Sequence, residues 1–110
     1  MRPLPEKFLA AMIAAQPLPG SPRYAGDDNA IVSSALSDVR YYLNAGVDAI
    51  LLENSHDLPY IKPPLPEAAV LLMKMLAREI RKNFTGPVGI QMLEAANETA
   101  LEIAHAADLD

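Results

Sequence analysis

Cysteine is absent from the 110-residue chain, which excludes a disulfide framework, a thiolate metal site and a thiol nucleophile. Positive charge is sparse: Lys and Arg number 9 against 14 Asp and Glu, for a net charge of −5 and a pI near 4.9. A broad nucleic-acid surface needs clustered Lys and Arg to neutralise phosphates, so no nucleic-acid partner is expected. Long apolar runs are also lacking, and no stretch approaches the roughly 20 apolar residues of a membrane helix. The segment Phe8 to Ala15 follows Arg2 and Lys7 in the manner of a signal-peptide core. It is short, however, with Glu6 inside the basic flank and no Ala-x-Ala site behind it. The expectation is a soluble protein of a reducing compartment, the cytoplasm.

What is present is ordinary in amount and ordered in arrangement. Apolar residues make up 51% and charged residues 21%, as in a soluble globular domain, and the length suits one domain. The prolines stand at the ends of apolar runs, at Pro17, Pro19, Pro22, Pro59, Pro63, Pro64, Pro66 and Pro87. They punctuate elements and do not form a linker.

One unit of strand, loop and helix recurs three times. The apolar run Phe8 to Ala14 leads through a Pro- and Gly-rich loop to Asp27 and Asp28, either of which suits a helix N-cap. Ile31, Val32, Ala35, Leu36, Val39, Tyr42 and Leu43 then recur at helical spacing, and Gly46 provides a left-handed stop. Val47 to Leu52 is a near-continuous apolar run, as in a parallel strand covered on both faces. Behind the loop Glu53 to Pro64, Pro66 suits a first helical turn. Ala69, Leu72, Met73, Leu76, Ala77 and Ile80 form the buried stripe of that second helix, with Arg81 and Lys82 near its negative end. Val70, Leu71 and Met75 give it a second apolar patch, which a neighbouring helix or a subunit contact would cover. The third unit runs Val88 to Leu93, then a helix capped by Asn97 and continuing through Ala107. Asp108, Leu109 and Asp110 read as the lead-in to a further strand.

Successive βα units imply a parallel sheet with right-handed crossovers. In a dinucleotide-binding sheet the first loop would carry Gly-x-Gly-x-x-Gly, but here it reads Pro17-Leu18-Pro19-Gly20-Ser21-Pro22. The remaining architecture is a β/α barrel of the TIM type, which needs about 250 residues. Residues 1–110 therefore read as the N-terminal part of one barrel domain, incomplete at about three βα units.

Particular blocks of residues narrow this further. Met12 to Pro22 (MIAAQPLPGSP), Gly46 to Ile50, Glu53 to Tyr60 (ENSHDLPY) and Pro87 to Leu93 with Ala95-Ala96-Asn97 resemble the BtpA/SgcQ family. The resemblance implies a single barrel of the ribulose-phosphate-binding type. Within that family a role in photosystem I biogenesis in cyanobacteria is the best known, although members also occur in organisms without photosynthesis. Many members carry His and Leu where this chain has Ala14 and Ala15, so any role of that His does not transfer.

Barrels work at the C-terminal ends of their strands, which selects three places. In the first loop, Ser21 and Arg23 are ligand-binding candidates. Arg23 would clamp a phosphate or carboxylate beside the Gly20 amides, unless the loop is a Pro-stiffened lid and the Arg merely solvated. After the second strand, Glu53 and His56 are the acid/base candidates, with Asn54 and Asp57 orienting a ligand. Oxygen and imidazole ligands there would also suit a divalent cation, but the spacing matches no established metal motif. The rival reading has Glu53 and Asn54 bracing neighbouring loops while His56 and Asp57 form a turn. On the third strand Gln91 is expected to point into the barrel, with Ile90 and Met92 towards the helices. Glu94, Glu98 and Glu102 form a solvated acidic row, and His105 sits at a helix C-terminus.

The leading functional expectation is a barrel that binds or converts a small anionic, phosphorylated metabolite, with reaction and cofactor unknown. The alternatives are a non-catalytic assembly or stability factor contacting a protein partner or a second copy through outer helix faces such as Leu71 and Met75, or a truncated product without independent activity.

Overall fold

Short apolar runs between Pro and Gly become strands, and the three-to-four-spaced stripes between them become helices. The computed structural model describes residues 2–110. Its elements are β1 (Ala10–Ala14), α1 (Asp28–Ala45), β2 (Ala49–Glu53), α2 (Glu67–Asn83), β3 (Val88–Gln91) and α3 (Asn97–Ala107). The strands pair in parallel in the order β1-β2-β3. This is the three-unit α/β grammar expected from the sequence.

Strand alternation divides the sheet into two unlike faces. Ile13, Ile50, Leu52 and Val88 are fully buried in one cluster with the α1 residues Ile31 and Val39, the α2 stripe from Ala69 to Ile80, and Ile103 of α3. Met12 and Leu51 point the other way and are exposed. Gly89 lies on that face against the Leu51 side chain, whose terminal methyl would have to shift for a Cβ there.

Helix ends follow local chemistry, with two corrections. Asp27 is the cap of α1, its carboxylate accepting from the Ala30 N–H at 3.0 Å, and Gly46 ends the helix at φ 74°. Pro66 sits one position before α2 as its N-cap, where its carbonyl receives the Val70 N–H. Asn97 is the first residue of α3 and not its cap; Ala96 holds the cap position without a side-chain bond. Its carbonyl accepts the Ala100 N–H, which starts the helix through backbone alone.

Three side chains also depart from expectation. Leu43 is exposed, because the last turn of α1 meets the sheet through Tyr42, whose hydroxyl donates to the Met12 carbonyl at 2.6 Å on the outer edge of β1. Leu71 and Met75 stay 57% and 51% exposed although α2 already packs against both α1 and α3. They project away from the sheet, where a flanking helix does not reach. The acidic row Glu94, Glu98 and Glu102 is exposed, as expected, with Glu102 also pairing with Lys74 of α2 at 2.7 Å.

At the opposite edge from the β-to-α loops, Asp110 lies beside the start of β3. Its N–H donates to the Val88 carbonyl at 2.8 Å, and its carboxylate receives the Val88 N–H at 3.1 Å. Arg2 and Arg81 both pair with that carboxylate at 3.2 Å. Arg81 also donates to the carbonyls of Phe84 and Gly86, fixing the turn after α2. Among the described residues no helix is long and apolar enough to cross a membrane.

Candidate functional site

Parallel strands deliver all three β-to-α loops to one edge of the sheet, and Asn54 and Asp57 tie those loops together. Asn54 follows β2 with alternation turning its side chain to the helix-covered side, where it is 2% exposed. Its Oδ1 accepts the Leu93 N–H at 2.7 Å and its Nδ2 donates to the Leu93 carbonyl at 2.9 Å. Both backbone polar groups of Leu93 in the third loop are thereby satisfied. Asp57 turns back on Asn54, its N–H donating to the Asn54 carbonyl at 3.1 Å. Its carboxylate accepts the Leu18 N–H of the first loop at 2.8 Å. Burial pushes the Asp57 carboxyl above its ordinary value, against the opposing pull of the Leu18 N–H, the Asn54 amide and the His56 charge.

These ties enclose a cavity of about 150 Å³ among the loops and the first turn of α2. Pro19, Pro22, Pro59 and Pro66 form stiff walls, Tyr60 and Leu65 add apolar surface, and Asn54, Asp57 and Ser21 supply polar atoms. Gly20 adopts φ +95°, and a Cβ on it would lie 2.6 Å from Pro66 Cγ, so the first loop packs directly on the start of α2. Tyr60 donates to the Ser55 carbonyl at 2.8 Å, which holds its ring in place. Sequence reasoning singled out neither Tyr60 nor Pro66 as lining a site; their presence in Pro-bounded loops after β2 was the available signal.

The residues picked out from sequence fall into three groups. Ser21, Asn54 and Asp57 line the loop cavity. Glu53 and Gln91 are paired in register, next to Ala14, and alternation sets them on the helix-free face. Gln91 therefore lies opposite Ile90 and Met92, the second of which is buried under the helices. Glu53 accepts from Ser55 Oγ at 3.0 Å. Arg23 turns away from the cavity to a separate depression beside Gln16, Asp27 and Ser34 at the start of α1. His56 is exposed, and among the described residues no hydrogen bond joins it to Glu53. Among the described residues no three His, Asp or Glu side chains converge as a metal site requires.

The residues of the second loop differ in what they hold. Asn54 braces the third loop through the Leu93 backbone, and its amide also donates to the Asp57 carboxylate at 3.4 Å. Asp57 is a brace with acceptor capacity left over, since a carboxylate offers about four lone-pair sites. Glu53 makes only a local bond and stays available on the free face.

Sequence comparison places the chain among known proteins. An uncharacterized protein of Pyrococcus furiosus is 37% identical over 101 residues, covering 92% of this chain and 38% of the relative. An uncharacterized mitochondrial protein of Caenorhabditis elegans is 34% identical over 104 residues, 90% of this chain and 38% of its own length. The photosystem I biogenesis protein BtpA of Synechocystis is 33% identical over 88 residues, 80% of this chain and 31% of its own. The chain thus spans about two-fifths of the length of the first curated relatives it matches. No solved structure matches it. The model of the BtpA family matches residues 5–110, nearly the full chain and all three loops described above, and the chain accordingly belongs to the BtpA family.

Proposed function

We propose that these three βα units form the front part of a β/α barrel that binds a small molecule at the C-terminal edge of its strands. The observation that carries this reading is the convergence of the three loops, knitted by Asn54 and Asp57, around a stiff-walled cavity. Barrels of this kind place their chemistry at that edge. The exposed Met12 and Leu51 on the helix-free face call for cover, which the further strands of a closing barrel would supply. Glu53 and Gln91 then form an inward polar layer above them, with Glu53 as the proton-transfer candidate and Gln91 as a ligand hydrogen-bonder. His56 joins Glu53 in this reading only by movement of its loop. A phosphorylated ligand rests on Arg23, whose depression at the start of α1 also holds Asp27. A reducing compartment such as the cytoplasm is part of the proposal and rests on the absence of cysteine.

The test is a ligand screen of the complete protein by thermal shift, with phosphorylated and unphosphorylated metabolites, repeated on Glu53→Gln and Arg23→Ala. Ligands that stabilise the protein should lose about tenfold or more in affinity in at least one variant, as expected when a charged partner is removed. Stabilising ligands indifferent to both substitutions would remove these residues from the site.

One observation favours a second reading, that of a scaffold contacting another protein. Leu71 and Met75 remain exposed on α2 with both flanking helices in place. The Synechocystis relative is named for a biogenesis role. Loss of a co-purifying partner on Leu71→Ser/Met75→Ser, with ligand binding intact, would favour this reading over the first.

A further inference from the structure

The loop cavity lacks the charge that an anionic ligand requires. No Lys, Arg or His lines it, although Arg23 belongs to the same loop as Ser21. Its carboxylate is Asp57, held at the wall by the Leu18 N–H at 2.8 Å and, more loosely, by the Asn54 amide at 3.4 Å. The remaining acceptor sites of that carboxylate have no protein donor among the described residues. His56, next in the chain, is exposed and is not part of the wall. The rest of the lining is proline, tyrosine and aliphatic surface, and its volume of about 150 Å³ is that of a site for one six-membered ring.

We propose that this cavity takes a small planar ring bearing a hydrogen-bond donor, neutral or cationic, with the donor directed to Asp57 and the ring between the prolines and Tyr60. The inference rests on the small-molecule reading above and sharpens it: the cavity is a donor-recognising subsite, separate from any anion held by Arg23. Burial already penalises the Asp57 charge, and a ligand donor would offset that penalty where an anion would add to it.

Three ring probes of matching shape test this on the complete protein: benzamidine, benzamide and benzoate, titrated by NMR. The Leu18 and Leu93 amides report on the site, because they bond to Asp57 and Asn54 respectively. Benzamidine should shift both amides and bind about tenfold more tightly than benzoate, as a charge-assisted bond against a repelled anion predicts. In Asp57→Asn that preference should collapse while benzamide still binds. Preferential binding of benzoate at these amides would overturn the donor assignment and leave the small-molecule reading standing. If none of the probes moves either amide, the cavity is not a ligand subsite, and the reading above would depend on Glu53, Gln91 and Arg23. Should Asp57→Asn fail to fold, the order of the three probes on the unaltered protein decides the matter.

Discussion

Asn54 holds Leu93 by both its backbone N–H and its carbonyl, and it does so from a position 2% exposed. Truncation leaves two part-buried backbone groups of Leu93 without partners, each costing a desolvation penalty on top of the lost bond. Asn54→Ala should therefore destabilise the protein by about 3 kcal/mol in denaturant unfolding. Asn54→Asp should do little better, since a carboxylate faces the Leu93 carbonyl and lies beside Asp57. A loss under about 1 kcal/mol would mean that water replaces the bonds. Gly20 is the other exacting position. At φ +95° with Pro66 Cγ 2.6 Å from a hypothetical Cβ, Gly20→Ala meets both backbone strain and a clash with a ring. About 2 kcal/mol of destabilisation is expected, together with shifted resonances for Tyr60 and Ala69 on the cavity wall. The residue types at these places were readable from the sequence as Pro- and Gly-rich turns. That Asn54 would spend itself on Leu93 was not, because the partner is a main-chain group 39 residues away.

Among the elements, α2 is the central one and has two faces with different sensitivities. Its inner stripe is buried against the sheet, and Ile80→Ala should cost about 3 kcal/mol through cavity formation. Leu71→Ser and Met75→Ser should each change stability by no more than about 0.5 kcal/mol, since neither side chain touches the core. A larger loss at these two would show that a subunit or partner covers them. Between α2 and α3, the Lys74–Glu102 pair at 2.7 Å is partly exposed, and a double-mutant cycle should find about 0.5 kcal/mol of coupling that fades with salt. The helical stripes themselves were legible residue by residue, since period 3.6 is a local property. The outward patch was legible as apolar, but not its lasting exposure. That depends on where α1 and α3 lie, and the pattern of α2 alone carries no such information.

For the molecule as a whole, the edge opposite the loops is closed by charge. The Asp110 side chain is 4% exposed between Arg2 and Arg81. Burial alone would raise its pKa, but the Arg2 and Val88 N–H groups and the Arg2 guanidinium outweigh it and bring the carboxyl to about 2. The folded value lies below the ordinary 3.8, so the carboxylate stabilises the fold fully above that pH. The contribution is then lost as pH falls through about 2. Circular dichroism between pH 6 and pH 2 should find Asp110→Asn less stable than the unaltered protein at the upper end. The two should converge at the lower end, and parallel curves would contradict the latch.

The sequence by itself determined the units: three strands, three helices, a first cap at Asp27 or Asp28, a stop at Gly46, and a parallel α/β arrangement. Each follows from spacing and turn chemistry within a dozen residues. It also brought the strand-tip residues Glu53, Asn54 and Gln91 into view, because polar side chains at the ends of apolar runs need a partner or a task. Only the tertiary structure decided which of them lie together. Strand parity sends Glu53 and Gln91 to one face and Asn54 to the other, while the first loop brings Leu18 to Asp57, sets Ser21 on the same cavity and turns Arg23 away. The Leu18–Asp57 and Asn54–Leu93 bonds each span 39 residues. Contacts of that reach are set by how the parallel strands align, which no local pattern encodes.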